Sequence, residues 1–152
     1  MRHQGRWTPS PESPLFVDAW GWLVLAETRN PSHQALLSIR RRDEASALTW
    51  VTTDYVLDET ITRLFSKFPF QEAELFCHRI FQAQEAGSLR VETITAERFE
   101  KAFLLRLRYR DKPRISFTDF TSFVVMQELG LHRVLTEDAH FVHVGMGFER
   151  VP

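Results

Sequence analysis

The sequence predicts a three-layer α/β domain, in which a mostly parallel sheet of about five strands lies between layers of helices. Short apolar segments typical of strands alternate with helical segments along the chain, without an internal repeat or a linker. The first apolar run, LFV at 15–17, stops at Asp18, as a buried parallel strand does where it leaves the core. Ligands of such sheets bind beyond the carboxyl ends of the strands, so the residues at the strand exits are the candidates for function.

The composition fits one globular domain in a reducing compartment. The chain has 152 residues, of which 43% are hydrophobic and 13 are phenylalanine, enough for a substantial core. The net charge of −1 argues against a protein that coats nucleic acid by bulk attraction. The single cysteine, Cys77, is expected to be a buried, reduced thiol.

Residues 1–14 contain three prolines and little apolar content, which predicts a loose N-terminal leader before a single domain at 15–152. The start lacks the apolar region of a signal peptide, and no stretch is long and apolar enough to cross a membrane. We therefore expect a cytoplasmic protein that has no membrane contact.

The strands are predicted from short apolar or β-branched runs. After the first run they are ALTWVTT (47–53), LRVETI (89–94), HRVLT (132–136) and FERV (148–151). The helices are predicted between them, at AWGWLVLAET (19–28), NPSHQALLSIRRRDE (30–44), DYVLDETITRLFSKF (54–68), PFQEAELFCHRIFQAQEAG (69–87), TAERFEKAFLLRLRY (95–109) and SFTDFTSFVVMQELG (116–130).

Capping residues and apolar stripes support these helices. Asn30 followed by Pro31 predicts one helix start, Thr95 and Ser116 predict two others, and Gly130 predicts an end. The side chains expected to face inward recur at helical spacing. They are Ala35, Leu36 and Ile39 in the second helix, Leu57, Ile61, Leu64, Phe65 and Phe68 in the third, and Ala73, Phe76, Cys77, Ile80 and Phe81 in the fourth.

Four carboxylates stand near the strand exits. Asp18 leaves the first strand, Glu59 lies in the helix after the second strand, Asp119 lies in the first turn of the helix before the fourth strand, and Asp138 leaves the fourth strand. Hard divalent cations such as Mg²⁺ and Mn²⁺ prefer oxygen ligands. Such a cation could activate water and offset the charge that builds up during phosphodiester cleavage.

Each carboxylate also has an ordinary explanation. Asp18 could cap the first helix, Asp119 completes a capping box with Ser116, and Asp138 could belong to a turn. Glu59 precedes Arg63 by four residues, which favours a surface ion pair. Helical periodicity does not choose between Glu59 and Asp58.

Four segments carry a resemblance to a known family: FVDAWGWL (16–23), TTDYVLDETITRL (52–64), ISFTDFTSFVVMQELG (115–130) and VLTEDAHFVHVGMGFERVP (134–152). On these segments, residues 15–152 resemble the PIN-domain family, and within it the toxins of VapC type. The resemblance assigns the family's acidic positions to Asp18, Glu59, Asp119 and Asp138. It implies a ribonuclease dependent on Mg²⁺ or Mn²⁺, often a homodimer, that a small antitoxin protein inhibits.

The chain departs from the family pattern after the first aspartate, where Ala19 and Trp20 replace the usual hydroxyl residue. Ser116, Thr118 and Thr136 are candidates to orient the carboxylates, and a local cap or turn bond is the alternative for each of them. All three lie within three residues of Asp119 or Asp138 in the sequence.

Lys112 and Arg114 precede the Asp119 helix and are candidates to contact RNA phosphates, with a solvated loop as the alternative. Trp20 and Trp22 could stack on bases, but a buried first helix explains them better. His140 and His143 do not make a zinc site, because that would need further ligands and Cys77 has no predicted place nearby. We interpret both histidines as surface or packing residues at the rim, and Glu137 as a rim charge.

Three other functions are alternatives to a toxin ribonuclease. An aspartyl phosphatase would need a second aspartate where Trp20 stands. A non-catalytic module on the same scaffold, or an RNA-processing nuclease outside a toxin pair, would keep the acidic residues. A cleavage assay with Mg²⁺ against EDTA tests for the non-catalytic module, and the adjacent reading frame tests for the toxin pair.

Overall fold

The computed structural model describes residues 14–152, so the predicted leader, apart from Pro14, lies outside the described residues. Seven helices and five strands alternate along this part of the chain. In chain order they are β1 (Leu15–Val17), α1 (Ala19–Ala26), α2 (His33–Ala45), β2 (Trp50–Thr53), α3 (Asp54–Lys67), α4 (Phe70–Glu85), β3 (Leu89–Glu92), α5 (Ala96–Arg108), α6 (Phe117–Leu129), β4 (Arg133–Leu135), α7 (His140–His143) and β5 (Glu149–Val151).

The strands form one sheet in the order β3-β2-β1-β4-β5, and every neighbouring pair is parallel. The central strand β1 pairs with β2 on one side, where Phe16 lies opposite Val51, and with β4 on the other, where Val17 lies opposite Leu135. The strand order therefore changes direction beside β1, the position where ligand sites form in open parallel sheets. The predicted α/β fold with a parallel five-stranded sheet is confirmed.

The core explains why β1 and α6 hold fixed positions. All three residues of β1 are fully buried, and α6 buries Phe120, Phe123 and Met126 completely. Phe123 and Phe141 meet edge to face with ring centroids 4.9 Å apart, which ties α7 to α6. Two of the acidic candidates, at the end of β1 and the start of α6, thus stand on well-packed elements.

Gly21 brings α1 close to the sheet. A Cβ atom at this position would lie 2.9 Å from Leu135 Cδ2 and 3.0 Å from Val17 Cγ1, closer than packed carbon atoms approach. The absence of a side chain therefore lets the first turn of α1 lie against the ends of β1 and β4.

Helix α2 begins later than predicted. It starts at His33, whereas Asn30 and Pro31 belong to a preceding turn. Asn30 Oδ1 accepts a hydrogen bond from the Ser32 N–H at 2.9 Å, and the Asn30 carbonyl accepts one from the His33 N–H at 3.0 Å. The asparagine thus stabilises a turn and does not cap the helix at Pro31.

Three residues predicted to face inward are exposed, namely Ala35, Phe65 and Phe81. Helix α4 is buried along a narrow seam at Ala73, Cys77 and Ile80, and Phe81 lies one position beyond that seam. Phe65 contacts Phe70 at the surface, with ring centroids 5.1 Å apart. Apolar content at helical spacing thus overestimated the width of the buried face.

The other predicted helix signals are confirmed. The hydroxyls of Thr95 and Ser116 cap α5 and α6 by accepting from the N–H groups of Arg98 and Asp119. Gly130 ends α6 in the left-handed region at φ 66°. No helix among residues 14–152 is long and apolar enough to cross a membrane.

Candidate metal and RNA site

The candidate site lies at the carboxyl ends of the neighbouring strands β1 and β4. Asp18 follows β1 directly, and its backbone N–H donates to the Leu135 carbonyl at 3.2 Å, which continues the parallel ladder. Asp18 occupies the N-cap position of α1, but its side chain forms no capping hydrogen bond. Helix capping therefore does not account for this carboxylate.

Thr136 connects two of the predicted acidic residues. Its hydroxyl donates to Asp18 Oδ2 at 2.9 Å and accepts from the Asp138 backbone N–H at 3.0 Å. The threonine is buried, so both bonds are sheltered from water. Of the three hydroxyl residues proposed to orient the carboxylates, Thr136 is the one that contacts Asp18.

Asp119 enters the same region from the first turn of α6. Its backbone N–H donates to the capping hydroxyl of Ser116 at 3.1 Å, so the predicted cap forms. The Asp119 residue is only 8% exposed, although a residue that merely completes a cap can remain in solvent. Asp119 can take part in both the helix cap and the site, because the first turn of α6 points toward the end of the sheet.

Burial and neighbouring charges raise the pKa values of Asp18 and Asp119. Burial, and then the charges of Asp18 and Asp138, raise the pKa of Asp119 to about 8, assisted by a hydrogen bond with Asp138. Burial raises the pKa of Asp18 to about 6 against the lowering effect of the Thr136 hydroxyl, and the charges of Glu59 and Asp138 add to the rise. Positive charge is what this arrangement needs before all its carboxylates can ionise.

His140 belongs to the site, contrary to its interpretation as a rim or packing residue. Its backbone N–H donates to Asp138 Oδ1 at 2.8 Å, which turns the imidazole back over the carboxylates. The ring atom Nδ1 lies 3.1 Å from Asp138 Oδ1 and 3.8 Å from Asp119 Oδ2. This nitrogen is buried and has no hydrogen-bond partner among the described residues.

The donor atoms fit a divalent cation. Asp119, Asp138 and His140 each offer one ligand atom, and these atoms all lie within 4.8 Å of one another. A bound cation would offset the repulsion between the carboxylates and would accept the lone pair of the buried Nδ1 atom, which forms no hydrogen bond with a described residue. The sequence signal for His140 was its position two residues after Asp138, where a turn closed by the aspartate side chain brings the histidine back.

Glu59 is less tightly held than the three aspartates. It is half-buried and close enough to raise the pKa of Asp18 by charge repulsion. It also lies 3.6 Å from Arg63, so the ion pair considered as its alternative is present. Its neighbour Asp58, which periodicity could not exclude, is exposed.

The remaining candidates, Thr118, Lys112 and Arg114, have other contacts or are exposed. Thr118 is half-buried, and its carbonyl accepts from the Thr121 hydroxyl. Lys112 Nζ lies 3.6 Å from Asp111, and Arg114 is exposed. The Arg106 guanidinium holds their loop by donating to the carbonyls of Lys112 and Ile115 at 2.9 and 3.3 Å.

The structure does not bring His143 or Cys77 into the group formed by Asp119, Asp138 and His140. His143 is exposed, and Cys77 packs with Leu64 and Ala73 in a separate apolar cluster. Trp22 is buried as expected, but Trp20 is only half-buried. Glu137 is exposed, and its carbonyl accepts from Arg150 at 2.8 Å.

Comparison with known proteins gives the class and then the family. No protein-family model matches the chain. The crystal structure of VapBC2 from Rickettsia felis, bound to a DNA fragment from its promoter, matches with a TM-score of 0.65 at 12% identity, over 90% of this chain and 96% of that one. At that identity the match shows the fold alone, a parallel α/β domain.

A curated relative identifies the family. The chain is 30% identical over 135 residues to the 23S rRNA-specific endonuclease VapC20 of Mycobacterium tuberculosis, covering 86% of this chain and 94% of that protein. The crystal structure of that VapC20, a sarcin–ricin loop cleaving toxin, matches with a TM-score of 0.70, at 28% identity over 86% of this chain and 95% of that one. The chain belongs to the VapC-type toxins of the PIN-domain family, the ribonucleases of toxin–antitoxin systems. Its resemblance to that family is confirmed, and an aspartyl phosphatase of another fold is excluded.

Proposed function

We propose that this protein is an endoribonuclease that hydrolyses RNA phosphodiester bonds with Mg²⁺ or Mn²⁺ and acts as the toxin of a toxin–antitoxin pair. One observation carries the proposal. In a chain of the VapC family, the ligand atoms of Asp119, Asp138 and His140 lie within 4.8 Å of one another, and Thr136 ties buried Asp18 to the same site. Such a group of carboxylate oxygens binds a hard cation, and the bound cation can assist hydrolysis of an RNA phosphodiester.

The cation would be held by Asp119, Asp138 and His140, with Asp18 and Glu59 completing the acidic set directly or through water. Mg²⁺ or Mn²⁺, when bound, supplies Lewis-acid stabilisation of the phosphate and of an attacking water. Imidazole suits Mn²⁺ better than Mg²⁺, so His140 favours Mn²⁺ in this site. The site residues proposed for catalysis are Asp18, Glu59, Asp119 and Asp138.

The protein's own groups have separate parts in the reaction. The Thr136 hydroxyl keeps one oxygen of Asp18 fixed. A carboxylate of the set accepts the proton that the attacking water loses. Lys112 and Arg114, on the loop before α6, would contact phosphates beside the cleaved bond.

Ribosomal RNA is the substrate class that we propose. The relative VapC20 is described as specific for 23S rRNA and as cleaving the sarcin–ricin loop. A hairpin of the sarcin–ricin sequence is therefore the first RNA to test. If the protein cleaves other RNAs but not this hairpin, a PIN-type RNA-processing nuclease is favoured over a toxin that shares the target of VapC20.

The test is cleavage by the purified protein. We expect the wild type to cut RNA with Mn²⁺ or Mg²⁺ and not with EDTA, and Asp18→Asn or Asp119→Asn to remove cleavage while the circular dichroism spectrum persists. Full activity in either purified variant would overturn the assignment. Metal binding and RNA binding without cleavage by the wild type would instead support the non-catalytic module.

Two partners are proposed. One is a small antitoxin, which the adjacent reading frame should encode and which should co-purify with this chain. The other is a second copy of this chain, because α5 exposes Phe99, Phe103, Leu104 and Leu107 to about half of their full area, more than a monomer usually exposes on one helix. Sedimentation should give a dimer for the wild type and a monomer for Leu104→Glu.

A further inference from the structure

Trp20 lines a cavity that adjoins the carboxylates. The cavity has a volume of about 560 Å³ and opens between the first turn of α1 and the end of the chain. Trp20, Val142 and Phe148 supply its apolar walls. Thr136, whose hydroxyl donates to Asp18, also lines the cavity, so the cavity lies beside the proposed site of cleavage.

The lining combines an aromatic ring with a fixed guanidinium. Trp20 is half-buried and packs against the core, which holds its ring in place, and no other ring stacks on it among the described residues. Arg150 is held at the cavity by a 2.8 Å hydrogen bond to the Glu137 carbonyl. Indole rings and guanidinium planes are the surfaces on which unpaired nucleobases stack.

The polar groups of the cavity suit a base better than a phosphate. Glu137 and Glu149 are both exposed at its edge, and their charge disfavours a second phosphate group. Carboxylates and hydroxyls accept hydrogen bonds from exocyclic amino groups, and Ser32 adds a hydroxyl to the lining. A flat, partly apolar group with donors at its edge fits this composition.

We propose that this cavity, the Trp20 slot, receives one unstacked base of the RNA substrate, next to the phosphate that is hydrolysed at the carboxylates. The inference rests on the proposed ribonuclease function and adds how one nucleotide beside the cleaved bond is chosen. Trp20 is then a binding residue of the reaction, and a nucleotide without a base loses the stacking contact.

The test compares two substitutions of Trp20 on RNA hairpins that carry one abasic nucleotide at successive positions around the cut. We expect Trp20→Ala to lower kcat/KM on intact RNA by about tenfold and Trp20→Phe to retain most activity, since stacking on a ring is worth roughly that factor per base. In the wild type, removal of the base at one position should lower kcat/KM by the same factor. In Trp20→Ala, removal of the base at that position should not lower kcat/KM any further.

Phe70→Ala is the control, because it removes an aromatic ring at the surface that lies outside the cavity. Equal abasic profiles for wild type and Trp20→Ala would overturn the slot while leaving the ribonuclease function intact. If the wild type does not cleave, fluorescence anisotropy with the same hairpins replaces kcat/KM, and the same pattern in affinity decides. Trp20→Phe, together with the thermal melting of each variant, separates a binding loss from a folding loss.

Discussion

The Thr136 hydroxyl donates to Asp18 Oδ2 at 2.9 Å, across 118 residues of sequence. The Thr136 hydroxyl oxygen also accepts from the Asp138 N–H at 3.0 Å, so one buried side chain sets the positions of residues from both strand ends. Adjacent parallel pairing of β1 and β4 makes this contact possible, since Val17 lies opposite Leu135.

Thr136→Val should lower cleavage by about tenfold to a hundredfold, because hydrogen bonds that orient metal-site groups are worth that much. The substitution keeps the shape of the side chain but leaves Asp18 without its donor. Thr136→Ser should retain most activity. The measurement is single-turnover cleavage at saturating Mn²⁺, and unchanged activity in Thr136→Val would show that Asp18 needs no such support.

Stability of the cation-free protein should fall as pH rises from about 4 to about 8. In this window folded Asp18 and Asp119, with pKa values raised to about 6 and about 8, keep protons that the unfolded chain has released. The folded state therefore binds more protons, and rising pH favours unfolding. Asp119→Asn should stabilise the protein at pH 8 in EDTA by about 1–2 kcal/mol and have little effect near pH 4.

Urea unfolding at both pH values checks this, with Asp58→Asn as the control. Asp58 is exposed, so its substitution should not alter the dependence on pH. A stability that rises between pH 4 and pH 8 in the wild type but not in Asp119→Asn would contradict the crowding of the carboxylates.

Glu59→Gln should reduce cleavage by about tenfold, whereas Asp58→Asn should not. The two residues are neighbours on α3, but Glu59 is half-buried and raises the pKa of Asp18 by its charge, while Asp58 is exposed. Arg63→Ala removes the 3.6 Å ion pair without removing the glutamate and should leave cleavage nearly unchanged. Equal rates for wild type and Glu59→Gln would reduce Glu59 to a surface charge.

His140→Ala should weaken Mn²⁺ binding by about tenfold or more, and His143→Ala should not. Only His140 places a ring nitrogen within 4.8 Å of both Asp119 and Asp138, as judged over residues 14–152. Isothermal titration with Mn²⁺ and the cation-induced rise in Tm both measure the loss of Mn²⁺ affinity, and neither depends on RNA cleavage. Identical Mn²⁺ affinities in the two histidine variants would remove His140 from the ligand set.

Lys112→Ala and Arg114→Ala should weaken RNA binding and lower the slope of log affinity against log salt by about 0.7 per lost phosphate contact. The Arg106 guanidinium orders their loop, so the charges are presented at low entropic cost. Arg41→Ala on α2 is the control, since it removes an exposed arginine outside this loop. If Lys112→Ala and Arg114→Ala have the same slope as the Arg41→Ala control, the loop does not contact RNA phosphates and is only solvated.

The sequence was most informative where local chemistry is decisive. Ser116 and Gly130 mark the ends of α6, and the structure has the helix between them. It was least informative about how much of a helix face is covered, as Phe65 and Phe81 show at 38% and 44% exposure. Periodicity records which side chains share a face, but the neighbouring elements decide how wide a strip of that face they bury.

The alternation of strands and helices, the family resemblance and the acidic residues at the strand exits can all be read from the amino-acid sequence. The three-dimensional structure adds that Thr136 bonds Asp18, that His140 turns over Asp119 and Asp138, and that Trp20 lines a cavity beside them. This division arises because strand and helix signals act within a few residues. The distances between side chains at the site depend instead on the order and register of strands far apart in the chain.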